Sequence, residues 1–93
     1  MNFEDELMAR FEAHEKYQNL RLSRERLLVA RAVAQHPDEF TAEELVEAIQ
    51  AQQTEQRRCA RSTIYRTLNM LVELGMLLQR DTTDLVFRKI ADR

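Results

Sequence analysis

RRCARSTIYRTLNMLVELG, residues 57–75, decides how this chain folds. Ile64, Leu68, Leu71 and Leu74 recur at spacings of four, three and three, which lays an apolar stripe along a helix. The other side is left with Thr63, Arg66, Asn69, Met70 and Glu73. Gly75 stands where glycine commonly ends a helix, so the predicted helix runs from Ser62 to Leu74. Its entrance gathers Arg61, Ser62, Thr63, Tyr65 and Arg66 at the end whose free N–H groups favour phosphate. A DNA-recognition helix fits this pattern. Taken alone, so does an ordinary amphipathic helix with a solvated basic end.

The flanking segments narrow the choice. Thr41-Ala42-Glu43-Glu44 matches a capping box and opens a helix to about Gln52, with Leu45 and Ile49 inward, Glu43, Glu44 and Glu47 outward, and Phe40 placed to staple the first turns. A loop from Gln53 to Arg58 joins it to the basic helix, giving a helix-turn-helix. Upstream, Ser23 caps a helix whose face of Leu27, Leu28, Ala30, Ala32, Val33 and Ala34 ends at His36, before Pro37. Phe3, Leu7 and Phe11, with Met8 beside them, predict an amphipathic helix over residues 2–18 capped by Asn2, a face that either covers the core or pairs with a second copy. Asn19 closes it in the left-handed conformation, and Leu20 can fold back on the last turn. Downstream, Met76–Arg80 and Leu85–Ile90 flank the polar turn Asp81-Thr82-Thr83-Asp84, a hairpin whose Leu77, Val86 and Ile90 can face the helices. The fold class is mainly α with a small β-hairpin, a winged helix-turn-helix with an N-terminal amphipathic helix. Residues 1–93 form one domain, with the helical core at 23–75 and the wing at 76–90.

Composition agrees. A chain of 93 residues, 44% hydrophobic, suits one modest core. One Cys excludes an intramolecular disulfide framework, which suits a reducing cytoplasm, and no apolar run approaches the roughly twenty residues of a membrane span. The formal net charge of −2 hides a division along the chain. Residues 19–36 carry Arg21, Arg24, Arg26 and Arg31 against Glu25. Residues 56–66 carry Arg57, Arg58, Arg61 and Arg66 with no acid, whereas residues 37–55 hold six acids and no base. Two basic islands can form one positive face toward phosphate, or they can pair with acids of neighbouring helices. No glycine-rich phosphate loop, paired-histidine motif or base for Cys59 points to an enzyme.

Leu20-Arg21-Leu22-Ser23 followed by Arg26, Phe40-Thr41-Ala42-Glu43-Glu44-Leu45, and Ser62-Thr63-Ile64-Tyr65-Arg66-Thr67-Leu68 resemble, in order and spacing, the DNA-binding half of the ferric uptake regulator family, metal-dependent bacterial repressors. The resemblance spans about residues 18–90. It implies that Tyr65 contacts bases in the major groove, Arg66 the phosphate backbone, and Arg21 an adjacent A·T-rich minor groove. Arg24, Arg57, Arg58, Arg61, Ser62 and Thr63, with Arg80 and Arg88 of the wing, complete the expected DNA surface, and Lys89 adds a further wing charge. The expected partners are double-stranded DNA with A·T-rich half-sites and a second copy or a partner protein. A protein-interaction module on the same fold is the alternative.

Family members normally continue into a metal-sensing dimerisation domain, and this chain stops at Arg93 without it. His36 and Glu39 lie where the first domain lends a ligand, yet alone they cannot complete a coordination sphere, so no metal or cofactor is expected. Other departures are Arg24 for a proline, Asn19 for a glycine and Ala60 for a capping serine, which leaves Ser62 or Thr63 to supply a shifted cap. Cys59 replaces an apolar residue, as a buried structural thiol would.

Overall fold

Asn2 opens the first helix, its side-chain oxygen accepting the Asp5 N–H at 2.7 Å, and α1 follows over Phe3–Ala13. The computed structural model describes residues 2–55, 58–81 and 85–90. The helix expected to reach Gln18 stops at Ala13 because His14 turns extended. Nδ1 of His14 then accepts the Lys16 N–H, capping a single 3-10 turn, Glu15–Tyr17. This turn brings Tyr17 onto Phe11 with ring centroids 5.1 Å apart. Asn19 has the predicted left-handed φ of 67°, but Leu20 is 60% exposed and does not fold back.

Ser23 caps α2, Arg24–Gln35, by accepting the Arg26 N–H, and the helix ends at His36. Thr41 opens α3, Ala42–Ala51, through the predicted box: its hydroxyl accepts the Glu44 N–H at 3.1 Å while the Glu44 carboxylate accepts the Thr41 N–H at 2.7 Å. Helix α4 runs over Arg61–Glu73. Gly75 sits at φ 77°, its N–H donating to Val72 and that of Met76 to Leu71, the paired bonds of a Schellman ending with Met76 buried beneath. The Arg10 guanidinium closes the same end, donating to the Leu74 carbonyl at 2.9 Å. A Cβ at residue 75 would stand 3.0 Å from Nη1 of Arg10.

The hairpin is part of something larger. Strands β1 (Glu39–Thr41), β2 (Leu77–Asp81) and β3 (Val86–Lys89) form an antiparallel sheet in the order β1-β3-β2. Phe40, read from sequence as a staple, is the central residue of β1, opposite Phe87, and the two rings stack at 6.0 Å. The third strand ties the wing to the helices, with the Ala42 N–H donating to Leu85 and the Lys89 N–H to Asp38. A free hairpin is marginally stable, so this pairing anchors it. The buried face is Leu77 with Phe87; Val86 is only partly buried and Ile90 is 48% exposed, which corrects the expected Leu77, Val86 and Ile90 set. A bulge between Gln79 and Asp81 shifts the register, and the predicted turn residues 82–84 lie outside the described residues.

Ile64, Leu68 and Leu71 run through the core and share it with Leu7 and Phe11 of α1, Val29 and Val33 of α2, and Leu45 and Val46 of α3. Burying a side chain of this size contributes about 1.5–3 kcal/mol. Of the α1 face, Leu7 and Phe11 therefore cover the core, while Met8 stays 38% exposed. Met70 and Thr67 are buried too, so the apolar face of α4 is wider than its leucines suggest. Thr67 satisfies its hydroxyl on the Thr63 carbonyl at 2.7 Å, and Met70 receives the Arg26 guanidinium 3.7 Å from its sulfur. Cys59 is buried and its thiol is pushed up by that burial, as a structural thiol should be. No helix among the described residues is long and apolar enough to cross a membrane.

Candidate nucleic-acid interface

With Ile64, Thr67, Leu68, Met70 and Leu71 inward, α4 turns Arg61, Ser62, Arg66 and Asn69 outward, and Tyr65 lies partly buried along this stripe. The start of α4 is open. Ala60 occupies the N-cap with no side-chain hydrogen bond, and neither Ser62 nor Thr63 shifts the cap. The N–H groups of Thr63 and Ile64 turn back to the Ala60 carbonyl, which leaves those of Arg61 and Ser62 at the positive end of the helix dipole.

Glu43, on the first turn of α3, faces this end. Its Oε2 accepts hydrogen bonds from Nη2 of Arg61 and from the Tyr65 hydroxyl, the latter at 2.6 Å. The Arg61 guanidinium lies 5.6 Å from the Tyr65 ring centroid. The hydrogen bond from Arg61, then that from Tyr65, holds the Glu43 carboxyl below the usual carboxylate range, and the bond to Glu43 pushes the Tyr65 phenol up. From the sequence Glu43 reads as part of a solvated face; the usable signal is the capping box, which aims the second residue of α3 outward at the helix start.

The other expected residues divide into groups. Arg24 and Arg58 line one open groove of about 610 Å³ between α2 and α3, with Leu28, Ile49 and Gln52 along its walls. Arg21 is exposed in the loop before α2, and Arg88 is exposed on the outer face of β3. Arg57 lies outside the described residues.

Among the described residues, three arginines of the basic islands and the wing are held by acids. Arg61 meets Glu43, Arg80 meets Glu39 at 2.8 Å, and Arg31, from the upstream basic island, meets Glu4 of α1 at 2.9 Å. All of these pairs are exposed and contribute little to stability. Lys89 is not a phosphate-facing wing charge: its ammonium donates to the carbonyls of Ala34 and His36 at the end of α2, and burial pulls its pKa down.

His36 stacks on Phe40 at 5.6 Å with Nε2 buried and without a partner, while Glu39 is committed to Arg80. No group of three His, Cys, Asp or Glu that could hold a metal ion converges among the described residues.

The family model for the ferric uptake regulator family matches residues 17–88. Among solved structures, a manganese uptake regulator has a similar fold, with a TM-score of 0.70 at 20% identity. The match covers 99% of this chain and 61% of that one, so the chain spans less than two thirds of the regulator's length. No curated protein matches the sequence.

Proposed function

The chain belongs to the ferric uptake regulator family, and from that premise we propose that it is a cytoplasmic transcriptional regulator that binds double-stranded DNA sequence-specifically. The exposed stripe of α4 lies in the major groove and the β2–β3 wing along the backbone. The observation that carries this reading is the stripe itself: Ser62, Arg66 and Asn69 outward with Tyr65 partly exposed beside them, above an uncapped helix start, and no acid on α4 before Glu73. Tyr65 contacts bases, Arg66 the phosphates, and Arg21 an adjacent A·T-rich minor groove. Arg24, Arg57, Arg58, Arg61, Ser62, Thr63, Arg80 and Arg88 form the surrounding surface. One winged helix spans a single half-site, so two copies, or one copy and a partner protein, occupy a full site.

The ion pairs of Arg31, Arg61 and Arg80 favour a second reading, a protein-interaction module whose basic groups are already neutralised. Salt dependence separates the two. Binding to duplex DNA, followed by fluorescence anisotropy, should weaken steeply with salt. Arg21→Ala with Arg66→Ala should flatten the log–log slope by about 2 and lower affinity more than about tenfold with the fold intact. Full affinity in that double variant would contradict the assignment.

A further inference from the structure

We propose that Glu43 is a specificity-determining positioning residue: by accepting the hydrogen bond of the Tyr65 hydroxyl it leaves Tyr65 able only to accept from a base, so that Tyr65 selects an exocyclic amine. This rests on the DNA-binding reading above and adds to it a residue of α3 that acts through Tyr65.

A tyrosine hydroxyl has one proton and two lone pairs. Here the proton points to Oε2 of Glu43 across 2.6 Å, the length of a charge-assisted O–H···O⁻ bond. One lone pair faces Nη2 of Arg61 at 3.5 Å. What remains for a ligand is a single acceptor position. In the major groove, adenine N6 and cytosine N4 donate, whereas guanine N7 and O6 and thymine O4 accept. The amines therefore fit, and the acceptors meet a lone pair with no proton to offer. Reversing the hydroxyl would surrender a bond to a charged group, and bonds of that kind are strong enough to give a preference of about tenfold or more.

Arg61 completes the arrangement without being used up by it. Among the described residues, Nη2 alone of its guanidinium nitrogens is engaged, which leaves Nε and Nη1 free to meet a phosphate. The carboxylate can thus stay in place on DNA, where its negative charge lowers total affinity while its geometry sets which base is accepted.

The experiment measures anisotropy titrations of the intact chain on duplexes in which each base pair of a bound half-site is replaced in turn. Wild-type protein should prefer, by about tenfold at one position, the pair that offers an amine. Tyr65→Phe, which removes the same hydrogen bond from the other side, should erase that preference. Glu43→Ala should flatten it as well, because the freed hydroxyl can then donate or accept. Glu43→Gln should keep a smaller preference of the same sign while binding more tightly, since its carbonyl oxygen still accepts the hydrogen bond without the charge, and a charge beside the phosphates is gone. A side chain about half exposed makes loss of fold unexpected in either Glu43 variant, and thermal melts verify it. An unchanged base profile in Glu43→Ala overturns the proposal and leaves DNA binding standing. A wild-type chain with no preference at any position removes the sequence-specific reading, and this proposal with it.

Discussion

Helix α4 has the same three-part arrangement at both ends. At its C-terminal end Glu73 accepts from Lys16 at 3.0 Å and from the Tyr17 hydroxyl at 3.2 Å, with the Lys16 ammonium 5.6 Å from the Tyr17 ring centroid. At its N-terminal end Glu43 accepts from Arg61 and from the Tyr65 hydroxyl, with the Arg61 guanidinium also 5.6 Å from the ring. Burial separates the two. Tyr17 is 7% exposed and stacked on Phe11, so its ring belongs to the core and its hydrogen bond fastens the 3-10 turn to α4. Tyr65 packs against the core with part of its ring while its hydroxyl stays at the surface beside an uncapped helix start. The same chemistry is a structural fastening at one end and a presented recognition surface at the other.

The largest expected contrast is in stability. Tyr17→Ala should cost about 3 kcal/mol, because it empties an aromatic site in the core. In a domain of this size that lowers the melting midpoint by more than about 10 °C. Tyr65→Ala should cost about 1 kcal/mol, because only part of its ring packs on the core, while removing sequence preference in DNA binding. Equal losses of melting temperature would erase the distinction between the two ends.

A smaller effect is expected at the open end. Ala60→Ser supplies the missing cap and should add about 1 kcal/mol, a rise of about 4–8 °C in the midpoint. The C-terminal end, already closed by Gly75 and Arg10, has no equivalent vacancy. No gain in Ala60→Ser would mean that the first turn of α4 is already satisfied in solution.

The finest discrimination is spectroscopic. Both phenols titrate above the ordinary tyrosine value, Tyr17 chiefly through burial and Tyr65 chiefly through its hydrogen bond to Glu43. Absorbance titration should therefore show Tyr65 moving down toward 10 in Glu43→Ala, while Tyr17 stays high in Glu73→Ala. Raised phenol values give stability that is complete below pH 10 and lost as pH rises through the folded values. Glu4, Glu43 and Glu73 are held low, each first by a hydrogen bond from its basic partner, so their contribution is present above pH 4.5 and lost as pH falls through their folded values. Acid melts of the corresponding Gln variants should lose that part of the pH dependence.

Local patterns made much of the fold legible in the sequence. The Thr41 capping box, the Ser23 and Asn2 caps, the Gly75 ending and the leucine stripe of α4 are each written within a few neighbouring residues. What stayed hidden depends on distant partners. Strand β1 has three residues and is recognisable only opposite β3. Arg10 pairs locally with Glu6, but its bond to the Leu74 carbonyl exists only once the chain brings the end of α4 to it. Lys89 reads as a wing charge until α2 ends beside it, and Met70 as an outward residue until Arg26 and the core enclose it. The candidate surface shows the same division: the stripe of α4 follows from periodicity, whereas the Glu43 contact joins residues 22 positions apart.

Selection of bound sequences from random duplex DNA by the wild-type chain tests the central claim most directly. An A·T-rich half-site should be enriched, arranged as a dyad when two copies bind. Recovery of a pool no different from the starting library would contradict it.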